Sequence, residues 1–138
     1  MAPLLINGVP INCINQAAVE YHVPATLIIS VLKIENGYPG TVNLNSNGTR
    51  DYGPMQINSI WLSKIRPFGY TRYLIQNNPC ANVAVGTWIL SQEIAQNKLL
   101  WKGVGDYHSH TFTENQSYSS KVKRIYLLLK RYLATTTS

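Results

Sequence analysis

Few side chains in this sequence could carry out acid–base chemistry, because only six of its 138 residues are acidic. These six are Glu20, Glu35, Asp51, Glu93, Asp106 and Glu114. Glu20 and Glu93 have lysine or polar neighbours on predicted helices, so we expect both on solvated faces. Asp106 and Glu114 stand at a predicted helix end and in a polar loop, so we expect them on the surface too. The carboxyl groups left to consider are those of Glu35 and Asp51.

Glu35 continues an apolar stripe at the end of a predicted helix. Counting back four, seven and eight residues from it reaches Val31, Ile28 and Leu27. Desolvation on such a stripe disfavours the carboxylate, and so does the partial negative charge of a helix C-terminus. A carboxylic acid that stays protonated near neutral pH can protonate a glycosidic oxygen. The alternative is a buried glutamate paired with a lysine or arginine.

No other set of side chains forms a recognisable catalytic or metal-binding pattern. His108 and His110 flank Ser109, but no cysteine or acid is placed to complete a nucleophilic triad. Neither Cys13 nor Cys80 lies in a cluster with metal-site spacing. We therefore expect no metal and no cofactor. A Cys13–Cys80 disulfide is the favoured state of the cysteines, with two buried free thiols as the alternative.

The elements that hold Glu35 are predicted to be helical. A helical stripe from Ile11 to Tyr21 ends near His22, and a second, almost entirely apolar helix covers residues 24–35. The Asn36-Gly37 pair closes this second helix with a left-handed cap signal.

A small β-hairpin is predicted to follow within residues 41–57. Its turn would be Asn47-Gly48, the dipeptide that most readily supplies two positive φ angles. A short helix through Ile60, Trp61 and Ile65 and then a loop reaching Asn78 come next. Further helices are predicted over residues 79–97, 101–107 and 116–133, with Asn78 capping the first of them. The predicted fold class is mainly α (α+β), a single domain over residues 1–138 with an N-terminal arm (1–10) and a frayed tail (134–138).

The bulk composition restricts the partners. The net charge of +6 implies attraction to polyanions, and both nucleic acid and an anionic cell wall qualify. No apolar run approaches the roughly 20 residues of a membrane-spanning helix, so we expect a soluble chain without stable membrane insertion. The first residues lack the features of a signal peptide, which leaves a chain that stays inside the cell or a mature exported form. The expected disulfide favours the exported form, periplasmic or secreted.

Several ordered motifs together resemble the lysozyme superfamily, and within it the small lytic transglycosylases that accompany conjugation, secretion and pilus machines. The resemblance runs from about Cys13 to Val122. The motifs are Cys13, Ile34-Glu35-Asn36, Asn47-Gly48, Gly53 to Trp61, Pro79 to Val83, Gly86, Trp101, Val104 to Ser109, and Tyr118 to Val122. The resemblance implies a lysozyme-like fold, peptidoglycan glycan strands as substrate, a monomer, and components of such an envelope machine as partners.

The resemblance also implies a role for each matching residue. Met55 and Gln56 would line the sugar cleft, and Asn58 would support the turn around it. Asn82 would order the wall near a helix start, and Tyr107 would direct its hydroxyl at the reacting centre or at Glu35.

Glu35 would be the acid and base of a transglycosylase, which needs only one carboxyl group. It would protonate the bond between N-acetylmuramic acid and N-acetylglucosamine, and then deprotonate the muramyl 6-hydroxyl to close a 1,6-anhydro ring. Asn36 and Pro54 depart from the family pattern, which usually has Ser and Leu there. Asn36 can still donate a hydrogen bond, but altered positioning could lower activity or shift its pH optimum.

Two rival functions follow from other residues. Asp51 falls where animal-type lysozymes carry a second carboxylate, so a hydrolytic lysozyme using Glu35 and Asp51 is one alternative. A non-catalytic module that binds glycan or nucleic acid through the basic C-terminal helix is the other. We favour the transglycosylase and expect no nucleic-acid partner.

Overall fold

The computed structural model describes residues 4–137 and is mainly helical, as predicted. Its α-helices are α1 (Ile11–Tyr21), α2 (Ala25–Glu35), α3 (Leu62–Ile65), α4 (Arg72–Asn77), α5 (Pro79–Ala95), α6 (Leu100–His108) and α7 (Phe112–Thr137). Its strands are β1 (Leu5–Ile6), β2 (Val9–Pro10), β3 (Val42–Leu44), β4 (Arg50–Tyr52) and β5 (Ile57–Asn58). Short 3-10 helices cover Ser59–Trp61 and Arg66–Phe68.

The first two helices end as the sequence predicted. His22 closes α1 and Asn36 closes α2, both in the left-handed conformation with φ of 55° and 57°. At each cap the backbone N–H donates to the carbonyl four residues earlier, Ala18 and Leu32 respectively. This geometry stops α2 directly after Glu35.

The helices enclose one apolar core. Helix α5 packs against α1 and α6, while α7 packs across α2 and α6. The fully buried side chains include Ile14, Ile28, Leu32, Val83 and Leu90. A Cys13–Cys80 disulfide joins α1 to the start of α5, with the Cα atoms 5.3 Å apart, so the predicted pairing is present. No helix in residues 4–137 is both long and apolar enough to cross a membrane.

The predicted hairpin is part of a three-stranded antiparallel sheet in the order β3-β4-β5. The turn at Asn47-Gly48 has a positive φ only at Gly48, which was not the predicted geometry. Gly48 N–H donates to the Asn45 carbonyl at 3.0 Å, which closes a longer loop. The two-residue turn with two positive φ angles is instead Asn7-Gly8, between β1 and β2.

The described part of the N-terminal segment, which was predicted as an arm, forms a small β-hairpin. β1 and β2 pair antiparallel, and their turn brings the buried Asn7 against the end of α2. Asn7 Nδ2 donates to the carbonyls of Leu32 at 2.8 Å and Gly37 at 3.2 Å. The Leu32 carbonyl thus accepts a second hydrogen bond besides that from the Asn36 N–H, and the Gly37 carbonyl just beyond the cap is also bonded. Asn7 therefore links this hairpin to the end of the helix that carries Glu35. Residues 1–3 of the predicted arm lie outside the described residues.

Two predicted boundaries were wrong. The segment predicted as a loop up to Asn78 contains α4, which Thr71 caps by accepting a hydrogen bond from the Leu74 N–H. Helix α7 begins at Phe112 and runs to Thr137, so it includes most of the predicted frayed tail. Ser138 lies outside the described residues. The cap on α5 was predicted correctly, since Asn78 Oδ1 accepts hydrogen bonds from the N–H groups of Cys80 and Ala81.

Candidate active site

The Glu35 carboxyl lies at the C-terminal end of α2, partly buried at the edge of the core. Glu35 Oε2 accepts a hydrogen bond of 2.7 Å from the hydroxyl of Tyr118 on α7. Within residues 4–137, none of the ion pairs involves Glu35. The alternative of a glutamate locked to a lysine or arginine is therefore not what the structure contains.

Tyr118 is the site residue that sequence reasoning missed. It was part of the motif resemblance, but no role was assigned to it, because 83 residues separate it from Glu35. Its side chain is buried, and the His108 ring stacks on it with centroids 4.8 Å apart and planes 9° from parallel. Burial, the nearby Glu35 and their hydrogen bond all raise the Tyr118 pKa well above 10. The phenol is thus a permanent hydrogen-bond donor to Glu35.

The surroundings of Glu35 favour its neutral form. Burial is the main effect and raises the Glu35 pKa from its ordinary 4.5 to about 7, against the Tyr118 hydrogen bond, which lowers it. The negative charge of Asp51 raises the pKa further. Near neutral pH the group can therefore both give and take a proton, as acid–base catalysis requires.

A polar cleft of about 450 Å³ opens beside Glu35. The sheet forms one wall and the end of α6 forms the other. Its lining residues are Glu35, Asn45, Asn47, Thr49, Asp51, Gln56, Ile57, Asn58, Trp61, Ile89, Tyr107, His108, Ser109 and Glu114. A cleft lined by amides, hydroxyls and one indole is suited to a carbohydrate chain rather than to an apolar ligand.

Asp51 lines the same cleft from β4 and pairs in register with Asn58 on β5. Asn58 Nδ2 donates to Asp51 Oδ1 and to Thr49 Oγ1, both at 3.0 Å. Asn58 Oδ1 accepts from the Ile60 N–H at 3.0 Å, which caps the following 3-10 helix. Asn58 thus supports this turn of the cleft wall.

Gln56 lies in the cleft with a positive φ of 53°. Its Nε2 donates to the Gly53 carbonyl at 3.0 Å, and its Oε1 accepts from Asn43 Nδ2 at 2.7 Å. The two bonds fix the side chain across the sheet. A Cβ on Gly37 would collide with the Gly53 carbonyl oxygen, so glycine is needed where the chain after α2 meets the residue that follows β4.

The Met55 side chain is fully buried and does not reach the cleft, in contrast to the expected sugar contact. It packs against Gly86 of α5, where any Cβ would collide with its sulfur. Its backbone N–H donates to Oδ1 of the fully buried Asn82 at 2.8 Å. Asn82 Nδ2 donates to the carbonyls of Tyr52 and Ile75, at 2.9 and 2.7 Å. Asn82 thus ties β4, α4 and the Met55 segment to α5.

The Tyr107 hydroxyl does not bond to Glu35. It donates to the Met55 carbonyl at 2.8 Å, which joins α6 to the segment between β4 and β5. Burial, with the nearby Glu35 and Asp51, raises the Tyr107 pKa well above 10. The ring still lines the cleft. The hydroxyl that bonds to Glu35 is therefore that of Tyr118 and not that of Tyr107.

Two of the acids expected on the surface are buried. Glu93 on α5 has a relative exposure of 8% and Asp106 on α6 of 6%, because α6 folds back over the end of α5. Glu20 is exposed, as predicted. Glu114 is also exposed, but it lines the cleft and its Oε2 accepts from Ser109 Oγ at 2.8 Å.

Residues 12–126 match the family model of the transglycosylase SLT domain. The chain therefore belongs to this family, and the protein is a lytic transglycosylase with a lysozyme-like fold.

The curated relatives are similar over most of their length. Protein IpgF of Shigella flexneri is 30% identical over 121 residues, which are 84% of this chain and 80% of that one. Invasion protein IagB of Salmonella typhi is 29% identical over 136 residues, 95% and 85% of the two chains. A peptidoglycan-binding-like protein of Escherichia coli O157:H7 is 26% identical over 128 residues, 86% and 77%.

Proposed function

We propose that this protein cleaves the β-1,4 bond between N-acetylmuramic acid and N-acetylglucosamine in peptidoglycan and leaves 1,6-anhydromuramic ends. The observation that carries the proposal is a carboxyl group with a pKa of about 7 at the edge of a polar cleft, hydrogen-bonded to Tyr118. Such a group can serve as acid in one step and base in the next.

The reaction uses Glu35 twice. Its carboxyl proton moves to the glycosidic oxygen as the bond to the muramyl anomeric carbon breaks, and the oxygen of the muramyl N-acetyl group attacks that carbon. The Glu35 carboxylate then removes the proton of the muramyl 6-hydroxyl, whose oxygen displaces the N-acetyl oxygen and closes the anhydro ring. Water does not enter the product, and the proton returns to Glu35. Tyr118 holds the carboxyl in place through both steps.

The polar side chains of the cleft would contact the sugars. Gln56 and Asn58 are held by hydrogen bonds within the sheet and still line the cleft, so they can bind glycan without reordering. The half-buried Trp61 lines the cleft beside them. The buried Asn82 and Met55 would contribute indirectly, because the hydrogen bond between them fixes the segment that carries Gln56.

Hydrolysis is a second candidate, because Asp51 lines the same cleft as Glu35 and its charge acts on the Glu35 pKa. In that case Asp51 would act as nucleophile or would activate water. The hydrogen bond from Asn58 to Asp51 Oδ1 favours a structural role, since it ties this carboxyl to β5. We therefore place the transglycosylase first.

We further propose that the protein acts as a periplasmic or secreted monomer that opens the wall locally for a conjugation, secretion or pilus machine. The disulfide is typical of oxidising compartments. The net charge of +6 suits an anionic wall. The Salmonella relative is an invasion protein, which supports a secretion-related role.

The decisive experiment is mass analysis of purified peptidoglycan digested with the wild type, Glu35→Gln and the matched control Glu20→Gln. We expect anhydro-ended muropeptides from the wild type and from the control. Glu35→Gln should lower the rate by roughly 10³-fold, within the range that general acid–base groups contribute. Reducing ends from the wild type would support hydrolysis instead, and full activity of Glu35→Gln would overturn both candidates.

A further inference from the structure

A second group of ionisable side chains lies where α5, α6 and the segment before α7 meet. It consists of Glu93 on α5, Asp106 on α6 and His110, which follows α6. One potential ligand atom from each of the three lies within 4.8 Å of the others. None of the three residues takes part in the hydrogen bond between Tyr118 and the catalytic carboxyl of Glu35.

One atom of this group is unsatisfied. Among the residues described, Glu93 Oε2 is the only buried side-chain nitrogen or oxygen atom without a hydrogen-bond partner. A buried carboxylate oxygen without a partner is costly, since desolvation is not compensated. The residue is 8% exposed and this oxygen faces the His110 ring, with Nε2 3.6 Å away. Glu93 Oε2 therefore has lone pairs that no hydrogen bond uses, and its one charged neighbour at this distance within residues 4–137 is the exposed His110 ring.

Asp106 is positioned beside it by neutral donors. Its Oδ1 accepts from Asn115 Nδ2 at 2.7 Å, and its Oδ2 accepts from Asn97 Nδ2 at 2.9 Å. Hydrogen bonds of this kind orient metal-binding carboxylates and leave lone pairs available. Lys102 Nζ is 3.3 Å from Asp106 Oδ2, but its side chain is 59% exposed and can turn to solvent.

Each ring nitrogen of His110 faces one of the two carboxylates at a distance longer than a hydrogen bond. Nδ1 is 3.5 Å from Asp106 Oδ1, and Nε2 is 3.6 Å from Glu93 Oε2. Both exceed the roughly 2.7–3.2 Å of an N–H···O bond. A tetrahedral ion about 2.0–2.2 Å from each ligand would hold the ligand atoms roughly 3.3 Å apart. Such an ion would bind one ring nitrogen only, so the exposed ring would turn to bring that nitrogen toward both carboxylates, whose ligand atoms lie within 4.8 Å of it.

From this geometry we propose that Glu93, Asp106 and His110 bind one divalent cation of the Zn²⁺ type. Two carboxylates and one imidazole favour zinc and neighbouring first-row metals over calcium or magnesium, which prefer oxygen ligands alone. The two carboxylates are buried and the side chain of Lys102, which pairs with Asp106, is mostly exposed, so negative charge is left for a dication to neutralise. The sequence did not predict this site, because its three residues come from separate elements.

The ion would be structural rather than catalytic. It joins the end of α5 to α6 and to His110, two residues after His108, which stacks on Tyr118. His108 and Ser109 line the catalytic cleft. Binding would therefore hold the α6–α7 connection and this cleft wall in place.

The test is calorimetric titration of the EDTA-treated, disulfide-intact protein with zinc chloride, and in parallel with calcium and magnesium chloride. The variants are Glu93→Gln and His110→Asn. The control is His22→Asn, which removes an exposed histidine elsewhere and keeps a residue that tolerates the left-handed conformation. Thermal unfolding by circular dichroism with and without zinc gives a readout that does not depend on activity.

We expect one equivalent of zinc to bind the wild type and His22→Asn, and to bind the other two variants at least roughly tenfold more weakly. Zinc at 100 times its Kd should raise the Tm of the wild type by roughly 10 °C. The proposal fails if the wild type binds no zinc, which would leave a protonated His110 between the carboxylates. It also fails if His110→Asn binds zinc as tightly as the wild type, or if calcium or magnesium binds equally well.

Discussion

Glu35 and Glu93 both lie in the last turn of a helix, Glu35 in α2 and Glu93 in α5. Burial is the largest cause of a raised pKa at both carboxyl groups. Their neighbours differ. Glu35 accepts a hydrogen bond from a phenol and opens to a cleft, whereas Glu93 faces His110 and Asp106 and leaves one oxygen without a donor.

This difference shows that burial alone does not make a carboxyl group catalytic. A neutral donor beside Glu35 lets the proton leave and return without a competing positive charge. At Glu93 burial is the largest cause of the raised pKa, while the charge of His110 lowers it and that of Asp106 raises it, so charged neighbours act on the proton there. The two glutamates therefore differ because of the side chains around them, and not because of their places in the helices.

The largest effect expected to test this comparison is on the free energy of unfolding of Glu35→Gln. Because the folded pKa of Glu35 is about 7 and the ordinary value is 4.5, the folded state binds more protons between these pH values. Wild-type stability linked to this group is present below pH 4.5 and lost as the pH rises through 7. Glu35→Gln should therefore be more stable than the wild type at pH 8 by up to about 3 kcal/mol, and similar at pH 4.

Urea unfolding at pH 4, 6 and 8, with the disulfide intact, measures this difference. Glu20→Gln, at an exposed carboxyl on α1, is the matched control and should show no such trend. A stability difference between Glu35→Gln and the wild type that stays constant with pH would contradict the raised pKa. The Glu93 pKa is also raised, so Glu93→Gln should change in the same direction.

A smaller effect is expected from Tyr118→Phe, which keeps the ring against His108 and removes only the hydroxyl. The hydrogen bond lowers the Glu35 pKa, so its loss should move the alkaline limb of activity to higher pH. We expect kcat/KM to fall roughly 10- to 100-fold, since a hydrogen bond to a charged group contributes roughly 1.5–3 kcal/mol. Turbidity loss of purified peptidoglycan between pH 5 and 9 gives both quantities.

Tyr126→Phe is the control for this variant, because Tyr126 lies on the same helix and packs its ring against Trp101, away from the cleft. Its pH profile should match the wild type. If the alkaline limb of Tyr118→Phe stayed in place or moved to lower pH, Tyr118 would not be the donor that controls Glu35.

The contrast between the two glutamates also marks what the sequence could predict. Glu35 was identified because its helix is apolar at local spacings of four, seven and eight residues. The cap at Asn36 and the cap at Asn78 were likewise local signals, and both are present. Burial of Glu93 was not predictable in this way, since it comes from α6 folding back over α5.

The missed site features are all contacts between distant segments. Tyr118 is 83 residues from Glu35, and the Tyr107 hydroxyl meets a carbonyl 52 residues away. Asn7 caps α2 from 25 residues earlier. Its Asn-Gly pair was as strong a turn signal as Asn47-Gly48, but nothing local indicates which helix end such a turn will meet.

The smallest expected effect comes from Asp51→Asn, which tests whether the cleft contains one working carboxyl group or two. Asp51 raises the Glu35 pKa, so its neutralisation should move the alkaline limb to lower pH, opposite to Tyr118→Phe. The asparagine Oδ1 can still accept from Asn58 Nδ2, so the sheet should stay intact. We expect only a few-fold loss of kcat/KM, and anhydro ends among the products.

Glu114→Gln serves as the control, because Glu114 lines the same cleft and is not among the groups that shift the Glu35 pKa. It should leave the alkaline limb where it is. A loss in Asp51→Asn as large as that in Glu35→Gln, together with reducing ends in the wild-type digest, would mean that both carboxyl groups take part in the chemistry. If the alkaline limb instead moves to higher pH in Tyr118→Phe and to lower pH in Asp51→Asn, then Tyr118 and Asp51 have opposite effects on the pKa of a single catalytic group, Glu35.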